Sequence, residues 1–201
     1  MSNSNDATLD SGSGQPADKS RRTMLVATCA AGGAATAAAV WPFIASLEPS
    51  ERAKAAGAPV EADISKLEPG QMQVVEWRGK PVWVLRRTPE MLASLGKVEG
   101  QLADPNSEKP NQPQYAANEA RAIKDEYLVV VGICTHLGCS PTKLPGVVDD
   151  GAGFLCPCHG SRFDYAGRVF ANMPAPDNLI VPPYQYLSDT RLLIGDDTKG
   201  A

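Results

Sequence analysis

The chain has 201 residues, enough for one domain with an appendage, and its apolar content of 43% is sufficient for one hydrophobic core. Its charge is mildly negative, with 19 basic and 23 acidic residues. No tract combines clustered basic residues with interleaved aromatics, so we expect no nucleic acid among the partners of this protein.

The N-terminal end combines a polar tail with an export signal. Residues 1–20 are rich in Ser, Asn, Asp and Gly, which predicts a disordered tail. A twin-arginine pair, Arg21 and Arg22, then precedes 25 uncharged residues that end at Leu47. A signal core is about 7–15 residues long, whereas about 20 helical residues cross a bilayer. We therefore predict that residues 21–47 are a twin-arginine signal retained as one membrane anchor, with cleavage as the alternative.

An anchor of this kind determines which compartment each segment faces. The two arginines are expected on the cytoplasmic side of a bacterial inner membrane, together with the tail. With a single span, everything after the anchor then faces the periplasm.

The segment after the anchor, residues 48–60, contains alanine, proline and charge but no apolar face, which predicts a flexible hinge linker. Thirteen residues reach about 20 Å as a helix and about 43 Å when extended. A domain tethered in this way could move by about 20 Å between the two forms.

Residues 61–201 are predicted to form an all-β domain. Short apolar runs are interrupted by Gly and Pro, and the connections are too short for parallel crossovers, which favours antiparallel sheet. The runs at 73–77 and 81–85 predict a hairpin. The other predicted strands are 127–133, 153–155, 168–170, 179–181 and 191–194. Residues 88–95 predict one helix, and residues 97–122 predict a polar excursion on the surface.

Both histidines and four of the five cysteines lie in two short boxes. The first box is residues 134–139, Cys-Thr-His-Leu-Gly-Cys, and the second box is residues 156–161, Cys-Pro-Cys-His-Gly-Ser. Cysteine and histidine are the ligands of zinc and of some iron-sulfur clusters. Three interpretations compete at this point: a zinc site, two disulfides beside idle histidines, and an iron-sulfur cluster with mixed ligation.

The two boxes resemble those of the Rieske iron-sulfur proteins, of the high-potential type found in quinol-oxidising complexes. The resemblance covers the span, the linker and the whole β domain. It implies a Rieske-type antiparallel fold with an inserted cluster-binding subdomain, about residues 132–178, and one [2Fe-2S] cluster. By the same resemblance, the metal ligands are Cys134, His136, Cys156 and His159, with one iron held by the two cysteines and the other by the two histidines. The remaining pair, Cys139 and Cys158, is implied to form a disulfide.

Mixed ligation makes such a cluster easier to reduce. Two ferric ions, two sulfides, two thiolates and two neutral imidazoles sum to zero charge, whereas a four-thiolate cluster carries minus two before reduction. Added negative charge also raises the proton affinity of the imidazoles. His136 and His159 are therefore the catalytic candidates, because a site of this kind can accept an electron and a proton together, as a hydroquinone supplies them.

Other residues match supporting positions of the family. Gly138 and Gly160 allow tight turns with N–H groups near sulfur. Ser161 resembles the serine that donates to a bridging sulfide, and Leu137 is expected to shield the cluster and flank the docking face. Pro174 belongs to a Met-Pro-Ala-Pro sequence, residues 173–176, that resembles the proline loop over the cluster, although the family's loop usually begins with glycine.

Phe163 departs from the family pattern. Many members have a tyrosine at this position, two residues after the serine, and its hydroxyl donates to a ligand thiolate. A lost hydrogen bond of about 1 kcal/mol corresponds to about 40 mV in a one-electron couple. We therefore predict a somewhat lower potential than in tyrosine-containing relatives, unless the hydroxyl of Tyr165 takes over this contact.

The resemblance implies the Rieske subunit of ubiquinol-cytochrome c reductase, the cytochrome bc1 complex. Such a subunit takes an electron and a proton from ubiquinol at cytochrome b and passes the electron to cytochrome c1, in respiratory electron transport coupled to proton translocation. The alternatives are a Rieske subunit of another exported oxidase, of the arsenite oxidase type, and a non-redox zinc module. The two extra cysteines and the export signal disfavour soluble Rieske ferredoxins and oxygenases.

Overall fold

The computed structural model describes residues 19–147 and 150–198, and the chain divides into two compact units between Ser50 and Glu51. The first unit contains one long helix, α1 (Lys19–Ala45), whose side chains are all exposed. Its 27 residues correspond to about 40 Å of helix. By length and composition α1 is able to cross a membrane, a property that signal sequences share. The predicted tail falls outside the described residues, apart from its last two positions, which begin α1.

The second unit begins with α2 (Glu51–Ala56), a short helix inside the predicted linker. Glu51 and Lys54 form an ion pair at 2.8 Å within it. Both side chains are exposed, so this pair adds little stability, and so short a helix is marginal by itself. The flexible hinge at residues 48–60 therefore remains a prediction. In this structure six of its residues are helical, as α2.

The all-β prediction is confirmed, because the described residues of the second unit form three antiparallel sheets of three strands each. One sheet has the order β1-β9-β8, the second β2-β3-β4 and the third β5-β6-β7. The strands are β1 (Val60–Asp63), β2 (Met72–Trp77), β3 (Lys80–Arg86), β4 (Tyr127–Val131), β5 (Thr142–Lys143), β6 (Phe154–Leu155), β7 (Arg162–Phe163), β8 (Tyr184–Ser188) and β9 (Arg191–Ile194). The small third sheet carries the second box between β6 and β7.

The predicted hairpin is confirmed as β2 and β3. Arg78 and Gly79 form its turn with φ of 53° and 69°, and two positive φ values are typical of the tight turn that matches strand twist. Trp77 pairs with Lys80, so the turn is one residue shorter than expected. The strand expected at 127–133 forms as β4, which ends two residues earlier.

The predicted soluble helix is also confirmed, as α3 (Pro89–Leu95). The hydroxyl of Thr88 accepts a hydrogen bond from the N–H of Met91 at 3.3 Å, and proline occupies the first turn. Met91 and Leu95 bury their side chains in the domain core.

Two short strand predictions were wrong. Residues 179–181 form no ladder, since the Ile180 carbonyl accepts from the Val131 N–H at 2.8 Å while the Val181 N–H donates to the Asn111 carbonyl at 2.9 Å. Residues 168–170 form only isolated bridges, Phe163 with Val169 and Leu102 with Phe170. The hydrogen bonds of each segment go to different parts of the chain and not to one neighbouring strand. Their apolar residues therefore reflect burial of side chains and not membership of a sheet.

The expectation of a surface excursion at residues 97–122 was also wrong in part. Val98, Leu102, Ala116 and Arg121 are all buried. Backbone hydrogen bonds join this segment to residues 169–181; for example, the Ala103 N–H donates to the Val169 carbonyl at 3.0 Å. The segment is polar because its backbone and side chains hydrogen-bond to loops, and such contacts leave no periodic pattern in the sequence.

Candidate metal centre

The two boxes form loops with matching backbone hydrogen bonds. Cys134 N–H donates to the Cys139 carbonyl at 2.7 Å, and Cys156 N–H donates to the Ser161 carbonyl at 2.7 Å. Gly138 and Gly160 close the two loops on the carbonyls of the first cysteines, at 3.1 and 2.9 Å. These glycines have φ of 83° and 76°, a conformation that side chains disfavour. Each loop is therefore closed by two of its own backbone hydrogen bonds.

The expected disulfide between Cys139 and Cys158 is present and joins the two loops, with a Cα–Cα distance of 6.6 Å. Their sulfurs and that of Cys156 lie within 4.8 Å of one another. A disulfide sulfur is a poor metal ligand, because the thiolate is the form that binds metal. Of these three sulfurs only Cys156 is therefore available to a metal.

Four donors remain, and the structure arranges them in two layers. Cys134 and Cys156 are free thiols that are only 2% exposed. His136 is half-buried and His159 is exposed, with their ring centroids 4.7 Å apart. The boxes thus hold two thiols in the core and two imidazoles that are more accessible to solvent.

Burial raises the pKa of the Cys134 thiol, and the adjacent Cys156 thiol raises it further. Hydrogen bonds from the backbone of His136 and the hydroxyl of Ser161 act in the opposite direction, since they favour the thiolate. Buried thiols side by side need a cation to hold both as thiolates. Two such thiols beside two imidazoles fit a [2Fe-2S] cluster with mixed ligation.

The loop formed by residues 173–177, the proline loop, lies against both boxes. Ala175 N–H donates to the hydroxyl of Ser161 at 2.9 Å, and the Thr135 hydroxyl donates to the Asp177 carbonyl at 2.6 Å. Ser161 is fully buried beneath it. Leu137 is 72% exposed and Pro174 is exposed. Exposed apolar side chains therefore occur both in the first box and in the proline loop.

Comparison with known proteins identifies the family. A model of the Rieske [2Fe-2S] domain matches residues 58–185, and a model of the "Ubiquitinol-cytochrome C reductase Fe-S subunit TAT signal" matches residues 13–50. The ubiquinol-cytochrome c reductase iron-sulfur subunit of Allochromatium vinosum is 59% identical over 196 residues, covering 94% of this chain and 95% of the relative. This chain belongs to the Rieske iron-sulfur subunits of ubiquinol-cytochrome c reductase.

Proteins of the same name in two other bacteria are also similar. The Bradyrhizobium diazoefficiens subunit is 44% identical, covering 87% of this chain and 93% of the relative. The Blastochloris viridis subunit is 44% identical, covering 91% of this chain and 97% of the relative. The cofactor of this Rieske domain is accordingly a [2Fe-2S] cluster.

Phe163 lies in β7 of the Rieske domain, fully buried and paired with Phe154 across the third sheet. The hydroxyl of Tyr165 donates to the Gly146 carbonyl. It is therefore occupied away from the two boxes and does not replace the hydroxyl that Phe163 lacks.

A packing contact that the sequence did not reveal supports the first box. Trp83 on β3 stacks on Phe154, with ring centroids 5.2 Å apart. Gly132, two residues before the first ligand cysteine, faces this indole so closely that a Cβ there would lie 2.1 Å from the ring. Gly132 could have been suspected because it directly follows a strongly β-branched strand, but only the structure shows its neighbour.

Buried charges behind the second box were missed as well. Asp164 and Arg168 form an ion pair at 2.7 Å and are both almost completely buried. The carboxylate also accepts the N–H groups of Ala166 and Arg168, at 2.9 and 2.8 Å. Burial lowers the pKa of Arg87 and of Arg121 to about 10, while the nearby Asp164 opposes this shift. One carboxylate thus balances several buried guanidinium groups and fixes the loop that follows β7.

Proposed function

We propose that this chain carries electrons in ubiquinol-cytochrome c reductase, from ubiquinol at cytochrome b to cytochrome c1, and thereby contributes to proton translocation. The main observation behind this proposal is that the His136 and His159 rings lie 4.7 Å apart, in the same two boxes as the buried free thiols of Cys134 and Cys156. The proposed ligands are Cys134 and Cys156 on one iron, and the two histidines on the other.

The residues around the centre have distinct tasks in this proposal. When bound, the cluster supplies a one-electron acceptor of raised potential. His159, the more exposed imidazole, hydrogen-bonds the quinol hydroxyl and accepts its proton. Leu137 and Pro174 form an apolar rim that excludes water when the domain docks.

The hydroxyl of Ser161 has a second hydrogen-bonding task. Its oxygen already accepts the N–H of Ala175, so its own proton is free to point toward the sulfur of Cys134. Hydrogen bonds to sulfur stabilise negative charge there and raise the potential. Gly138 and Gly160 assist by holding the box loops in their closed turns.

We also propose the membrane arrangement. Residues 21–47 act as signal and retained anchor, with the tail of residues 1–20 in the cytoplasm and the Rieske domain of residues 61–201 in the periplasm. Residues 48–60 are the hinge that lets the domain travel between cytochromes b and c1. The apolar helix α1 and the match to a twin-arginine signal model support this arrangement.

Electron paramagnetic resonance tests this function directly. Membranes reduced with ascorbate should give the spectrum of a histidine-ligated [2Fe-2S] cluster, and an inhibitor of the quinol site should alter it. A spectrum that does not respond to the inhibitor would refute the quinol assignment. Zinc in place of iron and sulfide would support the non-redox alternative.

Purification separates the remaining alternative. The intact chain, beginning before residue 23, should copurify from membranes with b- and c-type haems. A cleaved, soluble product without those haems would favour an exported oxidase of the arsenite oxidase type.

A further inference from the structure

One end of the proline loop is held by a turn from the segment of residues 97–122. The Asp104 carboxylate accepts the N–H groups of Glu108 and Lys109 at 2.9 and 3.2 Å. Asp104 is only 8% exposed, and its carbonyl accepts the side-chain amide of the fully buried Asn178 at 3.0 Å. The backbone of Lys109 is therefore fixed at a defined place beside residues 176–178.

The ammonium of Lys109 makes two contacts with the proline loop. It donates to the Pro176 carbonyl at 2.8 Å and to the Asp177 carboxylate at 2.6 Å. The carbonyl of the same Asp177 accepts the Thr135 hydroxyl, next to the ligand Cys134. Asp177 is thus held from the first box on one side and by Lys109 on the other.

We propose that Lys109 is a positioning residue that latches the proline loop over the metal centre and so limits how often solvent reaches the cluster. The proposal rests on the assigned ligands and adds a role for the segment of residues 97–122. Lifting the loop off the boxes requires both contacts of Lys109 to break along with the hydrogen bonds to Thr135 and Ser161.

Solvent exposure of the Lys109 and Asp177 side chains determines how much their contacts stabilise the closed loop. The side chains of Lys109 and Asp177 are 48% and 36% exposed, so water screens their ion pair. The hydrogen bond to the Pro176 carbonyl is charge-assisted and starts from an ordered backbone, which lowers its entropic cost. We expect loss of Lys109 to increase the population of the open loop about fivefold.

The test uses the intact membrane complex with Lys109→Met. Two rates report the open loop: hydrogen exchange of peptides covering residues 172–179, and bleaching of the cluster by an iron chelator. Both should rise about fivefold, since each is proportional to the open population when closing is fast. Lys109→Arg keeps a charged donor and should return both rates to within about twofold of the wild type.

Lys124→Met is the matched control. Lys124 is 43% exposed, pairs with Asp189 at 2.9 Å and lies 4.4 Å from the Tyr186 ring centroid, so its loss removes the same charge and comparable contacts. This variant should exchange and bleach at the wild-type rates.

A double-mutant cycle of Lys109→Met with Asp177→Asn separates the direct contact from general destabilisation. Because both side chains contribute to one latch, the double variant should bleach less rapidly than the product of the two single effects. Fully multiplicative effects, wild-type rates in Lys109→Met, or equal acceleration in Lys124→Met would each overturn the latch. A wild-type complex without the iron-sulfur chromophore would instead overturn the proposed function.

Discussion

Replacing Phe163 by tyrosine should raise the midpoint potential of the cluster. The ring is fully buried, and Phe163 follows by two residues Ser161, whose hydroxyl hydrogen-bonds the Cys134 thiol. A hydrogen bond from this hydroxyl to a ligand sulfur is stronger in the reduced state, which carries more negative charge. A gain of about 1 kcal/mol corresponds to about 40 mV for one electron.

A redox titration followed by electron paramagnetic resonance measures this shift. Tyr165→Phe is the control, because its hydroxyl donates to the Gly146 carbonyl and should leave the midpoint unchanged. An unchanged or lower midpoint in Phe163→Tyr would refute the reasoning. A fall of similar size in Tyr165→Phe would show instead that Tyr165 already supplies the missing hydrogen bond.

Three further predictions concern ligation, buried charge and alkaline stability. Denatured protein stripped of iron should titrate three thiols without reductant, Cys29, Cys134 and Cys156, and five after reduction; five from the start would contradict the disulfide. Asp164→Asn should lower the free energy of unfolding in urea by about 3–5 kcal/mol, because it leaves buried guanidinium groups without their carboxylate. Burial raises the pKa of Tyr186. Stability linked to this group is complete below the unfolded pKa of about 10 and is lost at higher pH. The buried hydroxyl of Tyr186 has no hydrogen-bond partner among the described residues. Tyr186→Phe should therefore leave Tm at pH 7 nearly unchanged and raise Tm above pH 10. An equal loss of Tm at both pH values would contradict this.

The strongest predictions from sequence concerned residues whose local chemistry decides their structure. Arg78 and Gly79 favour a tight hairpin turn, and Thr88 followed by proline favours a helix start, regardless of the rest of the fold. The two cysteine and histidine boxes predicted a metal site, and their resemblance to the Rieske boxes predicted its [2Fe-2S] cluster. In each case the signal lies within a short turn, cap or box of the chain.

Features that depend on distant neighbours could not be predicted. The run at 179–181 looks like a strand, yet its hydrogen bonds go singly to Val131 and Asn111. Arg121 looks like a surface residue, but it is fully buried because carbonyls of Ala166 and Gly167 accept from its guanidinium. These hydrogen bonds join residues far apart in sequence, and no periodic pattern of apolar residues predicts them.

The position of β1 bears on how the domain withstands pulling. The chain enters the domain at Val60, whose antiparallel partner on β9 is Ile194. This ladder runs to the pair of Asp63 and Arg191, while the metal-binding loops follow β4 and β6 in the other two sheets. A pulling force applied on the N-terminal side of Val60 would therefore load the β1–β9 hydrogen bonds first, because the loops of the two boxes belong to the other two sheets.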